Sequence, residues 1–210
     1  KLNKEVNFKA NIGFVPTMGA LHKGHISLIN SSKKKCKKTL VSIFINPSQF
    51  NDKKDLKKYP KNLHNDIKIL KKLKVDYLLL PKINEIYKNK KSMKVNIIKK
   101  DRVLCAKYRP GHFEGVLAVI NQFLQKFKPK HIFFGEKDYQ QLYLIKKFIR
   151  KNYKIKVFSC STIRDKNNVA LSSRNILLNR NDINKSSIIV SEILKFKNKI
   201  KKNISFTKNL

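Results

Sequence analysis

The chain has 210 residues, with 49 Lys and Arg against 13 Asp and Glu, a formal net charge of +36. That length allows one sizeable domain, or one domain and part of a second, burying roughly 70% of the unfolded surface without disulfide staples. Cys36, Cys105 and Cys160 are odd in number and form no C-x-x-C pair, which argues against a disulfide framework or zinc site and for a reducing compartment.

The longest apolar runs, "VSIFI" and "YLLL", are far short of a membrane span, and no signal-peptide core follows the basic first residues. A soluble, cytoplasmic protein is expected. The charge has two readings. Lys and Arg neutralise phosphates, so a nucleic-acid binder is one. Compositional drift is the other: there are 43 Lys but only 6 Arg, and the lysines are spread along the chain with abundant Asn and Ile, as A/T-rich codons would give. Nucleic-acid readers lean on the planar fork of Arg. Drift is the better account, and no specific nucleic-acid partner is expected.

In chain order, "IGFVP" at 12–16 reads as a buried strand, and the helix-period run from His25 to Cys36 as a helix. "TLVSIFIN" at 39–46 is a β-branched strand, 47–60 a polar loop, and 62–74 an amphipathic helix on Leu63, Ile67, Leu70 and Leu73. Short strands follow at 76–81 and, more weakly, 93–98. The segment 112–127 reads as an apolar helix, 131–135 as a buried strand, 138–152 as a helix and 154–159 as a strand. A polar loop runs to about 175, and a basic helical tail follows. This alternation predicts an α/β fold, a parallel sheet with helices on both faces, with ligands at the carboxyl ends of the strands.

Five stretches at such ends carry candidate chemistry. In "PTMGALHKGH", Gly19 permits a sharp turn, and Gly24 lets an anion approach the N–H groups of a helix start. His22 and His25 add imidazole donors beside it. Two surface histidines at a turn is the plain alternative. In "FFGEKDYQQ", Gly135, Glu136, Lys137 and Asp138 follow a strand. Lys137 suits phosphate, Asp138 a ribose hydroxyl or magnesium, and Gln141 a polar substrate. In "LSSRN", Ser172, Ser173 and Arg174 make a phosphate clamp or a capped helix start. In "RPGHFEGV", Arg109 and His112 flank a Pro-Gly turn. In "NPSQF", Asn46 and Gln49 suit hydroxyl or carboxylate recognition, or a capped turn.

Taken together and in this order, from about residue 12 to residue 180, these motifs resemble the pantoate–β-alanine ligase family of the H-x-G-H nucleotidyltransferase superfamily. The resemblance implies a Rossmann-like catalytic domain over residues 1–177. It also implies ATP-dependent condensation of pantoate with β-alanine to pantothenate, through a pantoyl adenylate, by a cytoplasmic homodimer that uses magnesium. Met18, Gly19, Ala20, Leu21, His22, Lys23, Gly24 and His25 would hold ATP, with His25 as proton donor. Gly135, Glu136, Lys137, Asp138, Leu171, Ser172, Ser173 and Arg174 would join them, with Ile163 at adenine. Lys137, Ser172, Ser173 and Arg174 would stabilise the transferring phosphate. Gln49 and Gln141 would hold pantoate, and Gln49 also β-alanine. Asn46, Arg109 and His112 are further substrate candidates, and Asp66 a magnesium or phosphate candidate. Asn167 and Asn168 stand where the family has Asp-Gly, and Asn tolerates the left-handed backbone such a turn needs. Residues 178–210 read as the start of the family's C-terminal lid domain, most of it missing. Another H-x-G-H nucleotidyltransferase, or an inactive remnant with non-specific RNA affinity, is the alternative.

Overall fold

The computed structural model describes residues 11–87 and 95–207. Among them, five parallel strands form one sheet: β1 (Ile12–Thr17), β2 (Lys38–Ile43), β3 (Tyr77–Leu79), β4 (His131–Gly135) and β5 (Lys156–Cys160). Their order is β3-β2-β1-β4-β5, so the crossovers run outward in both directions from β1. Each is a βαβ unit, because parallel neighbours need a long connection.

Alternating residues of one strand enter opposite layers, as the two-residue period of a strand requires. Phe14, Leu40, Ile132 and Phe134 join one buried cluster, packed against α6 (His112–Phe127) and α7 (Tyr139–Asn152). Val15, Val41 and Phe133 join the other, which holds Leu28 and Ile29 of α1 (Lys23–Lys35) and Leu70 of α3 (Leu63–Lys72). Both faces of the sheet are therefore covered, as expected. Short helices α2 (Lys53–Lys58), α4 (Ile83–Ile86) and α5 (Cys105–Tyr108) and the long α8 (Arg180–Thr207) complete the described residues.

Two expectations are corrected. The loop expected at 47–60 contains α2, started by Asp52, whose carboxylate accepts the Lys54 N–H at 2.7 Å, and finished by Lys57 and Lys58. These charges suit the two ends of a helix dipole. Of the strand expected at 93–98, residues 93 and 94 lie outside the described residues, and 95–98 pair with no strand. Their alternation is real, since Ile97 is buried and Val95 packs on the same cluster. It records burial against that cluster without strand pairing. Asn168 takes φ 63°, the left-handed backbone expected of it.

Candidate active site

Strands β1 and β4 end side by side at the point where the crossovers diverge, and a cleft opens there. Parallel α/β sheets bind ligands at such a point, because no connection covers it. Thr17 and Met18 leave β1 into the cleft, and Phe134 and Gly135 enter it from β4. Val116, Val119, Ile120 and Phe123 of α6 give it an apolar wall.

His22 is the N-cap of α1. Its Nδ1 accepts the Gly24 N–H at 3.0 Å, and His25 Nδ1 accepts the His22 N–H at 3.3 Å. Two imidazoles thus satisfy orphan donors that Ser and Glu serve in an ordinary capping box. A ring nitrogen that accepts carries no proton, so each neutral ring keeps its proton on Nε2. The ring centroids are 4.1 Å apart, and both rings line the cleft. Gly24 is required by this packing: a Cβ there would stand 2.7 Å from His22 Cε1.

Burial lowers both histidines, with the Lys137 charge adding to it; His25 is pushed to about 3, the neighbouring His22 contributing. Both are neutral at pH 7 and serve as hydrogen-bond donors. Unfolded His25 titrates near 6.5, so between that value and about 3 the unfolded chain carries a proton that the folded chain lacks. Stability from this group is complete above the upper value and falls as pH drops through the window, by about 1.4 kcal/mol per pH unit. Denaturant unfolding across the window should show this contribution, and His25→Gln should make the pH dependence shallower.

Asn46 is 1% exposed and has its polar atoms occupied. Its Oδ1 accepts from Tyr87 O–H at 2.8 Å, Ser48 O–H at 2.9 Å and Ser48 N–H at 3.3 Å. Its Nδ2 donates to Gly115 O at 3.1 Å and Gln49 Oε1 at 3.2 Å. Asn46, a candidate substrate contact, lines the cleft and orients Gln49, whose Nε2 turns to Met18 Sδ at 3.1 Å. His112 Nδ1 donates to Gln49 O at 2.6 Å, and its Nε2 accepts from Arg109 Nη1 at 3.0 Å. Burial lowers His112 against the bond to Gln49, which raises it. These two residues therefore hold the backbone of Gln49 from the other side.

Ser172 caps the turn Ser173–Leu177 by accepting the Arg174 N–H at 3.3 Å. Ser173 lines the cleft with Ser172 and Arg174, and its hydroxyl donates to Ala20 O at 3.0 Å. Arg174 grips Asp55 of α2 with Nε at 3.0 Å and Nη2 at 2.8 Å, and lies 4.8 Å from the Tyr59 ring centroid and 5.9 Å from that of Phe50. Lys137 Nζ meets Asp138 Oδ1 at 2.8 Å, and both line the cleft with Gln141.

Other expected residues lie outside it. Gly19 and Ala20 line a hollow behind it, Leu21 is core, and Lys23 and Glu136 are exposed. Ile163 and Leu171 join each other, Leu171 N–H donating to Ile163 O at 3.0 Å. Asp66 corrects its expected metal or phosphate role. It is 1% exposed, its Oδ2 accepts Ala20 N–H at 2.9 Å, and its Oδ1 accepts Leu21 N–H at 2.7 Å. Both oxygens serve the backbone. Among the described residues no group of three or more His, Cys, Asp or Glu could hold a metal ion.

Asp55, Tyr59, Phe50, Ser48 and Tyr87 escaped the sequence reading. Asp55 carried a usable signal, since acidic residues number only 13 and it interrupts a run of lysines.

The model of the family described as pantoate-beta-alanine ligase matches residues 1–209. A pantothenate synthetase of Pseudothermotoga lettingae is 42% identical over 89% of this chain and 66% of its own length. One from Buchnera aphidicola is 51% identical over 83% of this chain and 62% of its own length. The chain thus spans less than two thirds of the length of these curated relatives. A Francisella tularensis pantoate-beta-alanine ligase, solved in complex with Beta-gamma ATP and Beta-alanine, superposes with a TM-score of 0.86 at 41% identity, covering 90% of this chain and 74% of that one. A pantothenate synthetase from Thermus thermophilus superposes at 0.87 with 32% identity, covering 92% of this chain and 70% of its own.

Proposed function

Because the chain belongs to the pantoate–β-alanine ligase family, we propose that it joins pantoate to β-alanine with ATP, releasing AMP and pyrophosphate. One observation carries the reading: a single cleft gathers His22, His25, Gln49, Lys137, Gln141 and Arg174, residues from four separate stretches of chain.

The pantoate carboxylate attacks the α-phosphorus, the bond to the bridging oxygen breaks, and pyrophosphate leaves. Negative charge grows on that oxygen and on the phosphoryl oxygens. The Nε2–H groups of His22 and His25, with Lys137 and Arg174, are fixed donors for it in a half-dry cleft. His25 then acts as a neutral donor, not as the proton-releasing acid first expected. Magnesium enters as part of the nucleotide substrate, neutralising its phosphates, and Asp138 is the carboxylate available to it at the cleft. The β-alanine amine next attacks the acyl carbon, AMP departs, and the nitrogen loses a proton. Positioning supplies much of the rate in both steps.

Gln49 and Gln141 serve the polar groups of pantoate, and the α6 wall suits its two methyl groups. Gln49 also serves β-alanine. If His112 works by holding Gln49, then His112→Ala should raise the KM of pantoate about ten-fold and leave that of ATP unchanged, a loss of one hydrogen bond to an uncharged partner. Steady-state kinetics with each substrate varied in turn checks this.

Residues 178–210 read as the start of a closing domain. Ile188, Ile193 and Phe196 of α8 are 59–65% exposed, as suits a helix with one face still to be covered. Closure over the adenylate would keep water from it. The same reading makes the protein a cytoplasmic homodimer with no specific nucleic-acid partner; among the described residues no helix is long and apolar enough to cross a membrane.

The test is pantothenate formation coupled to AMP release, with ATP, magnesium, pantoate and β-alanine. Turnover that requires all three organic substrates supports the ligase. Pyrophosphate release without pantothenate limits the chain to the adenylation half. No reaction in folded protein rejects the reading.

A further inference from the structure

The turn after β1 is held in an unfavourable backbone form from two sides. Gly19 takes φ 81° and Ala20 φ 48°. An L-residue such as Ala20 adopts that form only when its surroundings enforce it. On one side, the Asp66 carboxylate of α3 receives both the Ala20 and Leu21 N–H groups. On the other, Ser173 Oγ–H is given to Ala20 O at 3.0 Å. The partners of this one short turn come from 45 and 153 residues away in sequence. Immediately after it comes His22, the N-cap of α1.

From this arrangement we infer that Asp66 and Ser173 are positioning residues that lock the 19–21 turn and thereby aim the His22–His25 pair at the nucleotide. A carboxylate suits the task because it is acceptor-only and can take two parallel N–H groups. An amide in its place would set an NH2 against one of those donors. The Gly19 site leaves no slack, since a Cβ there would stand 3.0 Å from Asp66 Oδ2. The serine is needed with its proton, because its partner is a carbonyl. Pantoate reaches the cleft through Gln49 and Gln141, which this lock does not touch, so its effect falls on the nucleotide.

The inference rests on the ligase reading for its ligand, and its test separates the two. Asp66→Asn and Ser173→Ala are compared with the unaltered chain by ATP–magnesium titration calorimetry, pantoate titration, and amide hydrogen exchange at Ala20 and Leu21. Both variants should weaken ATP binding at least five-fold, leave pantoate affinity within two-fold, and speed exchange at the two amides. Having both variants keeps the test alive if Asp66→Asn fails to fold. Unchanged exchange and ATP affinity in the folded variants would overturn it. So would an Asp66→Asn defect cured by raised magnesium, which would make Asp66 a metal ligand. An unaltered chain that binds no ATP would instead reject the ligase reading, while the exchange rates would still report on the lock.

Discussion

His25→Ala should slow pantoyl-adenylate formation about 100- to 1,000-fold, the usual loss when one fixed donor to a developing oxyanion is removed. Measured as pyrophosphate release in a single turnover without β-alanine, the effect should appear in the rate and much less in pantoate affinity. The reason lies in what each nitrogen of the ring does. Nδ1 is committed to the His22 N–H, so Nε2 holds the only ring proton and can give it only as a hydrogen bond. Folded His25 titrates near 3, so its charge does not change between pH 5 and 8. The rate attributable to His25 should therefore be flat over that range. A limb near 6.5 that vanishes in the variant would show an imidazolium acting as an acid. His22→Ala should combine a rate loss with about 1 kcal/mol of lost stability, since it also removes the cap of α1.

The sheet was legible in the sequence because its strands are buried on both faces. "IGFV" and "HIFF" are continuous apolar runs bounded by turn residues, and a two-sided parallel strand must look so. The histidine pair was legible for its position after such a run. What the sequence did not reveal is which polar group faces a substrate and which faces another part of the protein. Asn46 and Gln49 are three residues apart and look equivalent. In the fold, Tyr87, Ser48 and Gly115 consume Asn46, while Gln49 keeps an amide turned towards the cleft. Asp66 is a magnesium or phosphate candidate through the family resemblance alone. Its partners are backbone N–H groups, which have no sequence signature. The helix α2 was hidden by lysines, whose number in this chain mutes their local meaning.

Arg174→Lys should lower kcat about 100-fold and leave the melting temperature nearly unchanged. The guanidinium is a planar fork, two of whose donors Asp55 already holds while the Tyr59 and Phe50 rings flank it. An ammonium cannot reproduce that geometry. The ion pair itself contributes little to stability, because its side chains are 42% and 36% exposed and such pairs are worth about 1 kcal/mol or less. Its value is orientation, and Asp55→Asn tests that directly. Removing the carboxylate frees the full positive charge of Arg174 and removes a negative one near the triphosphate. ATP should then bind two- to five-fold more tightly, by about 0.4–1 kcal/mol. The unanchored guanidinium, however, no longer waits where charge develops, so kcat should fall about ten-fold. A lower KM together with a lower kcat means that bound substrate gains stabilisation which the transition state does not share. Were Asp55 only a structural partner, both constants would keep their values in the folded variant. Were it a competitor that ATP must displace, kcat would hold or rise as KM fell. The sign of the change in kcat therefore decides what the aspartate does.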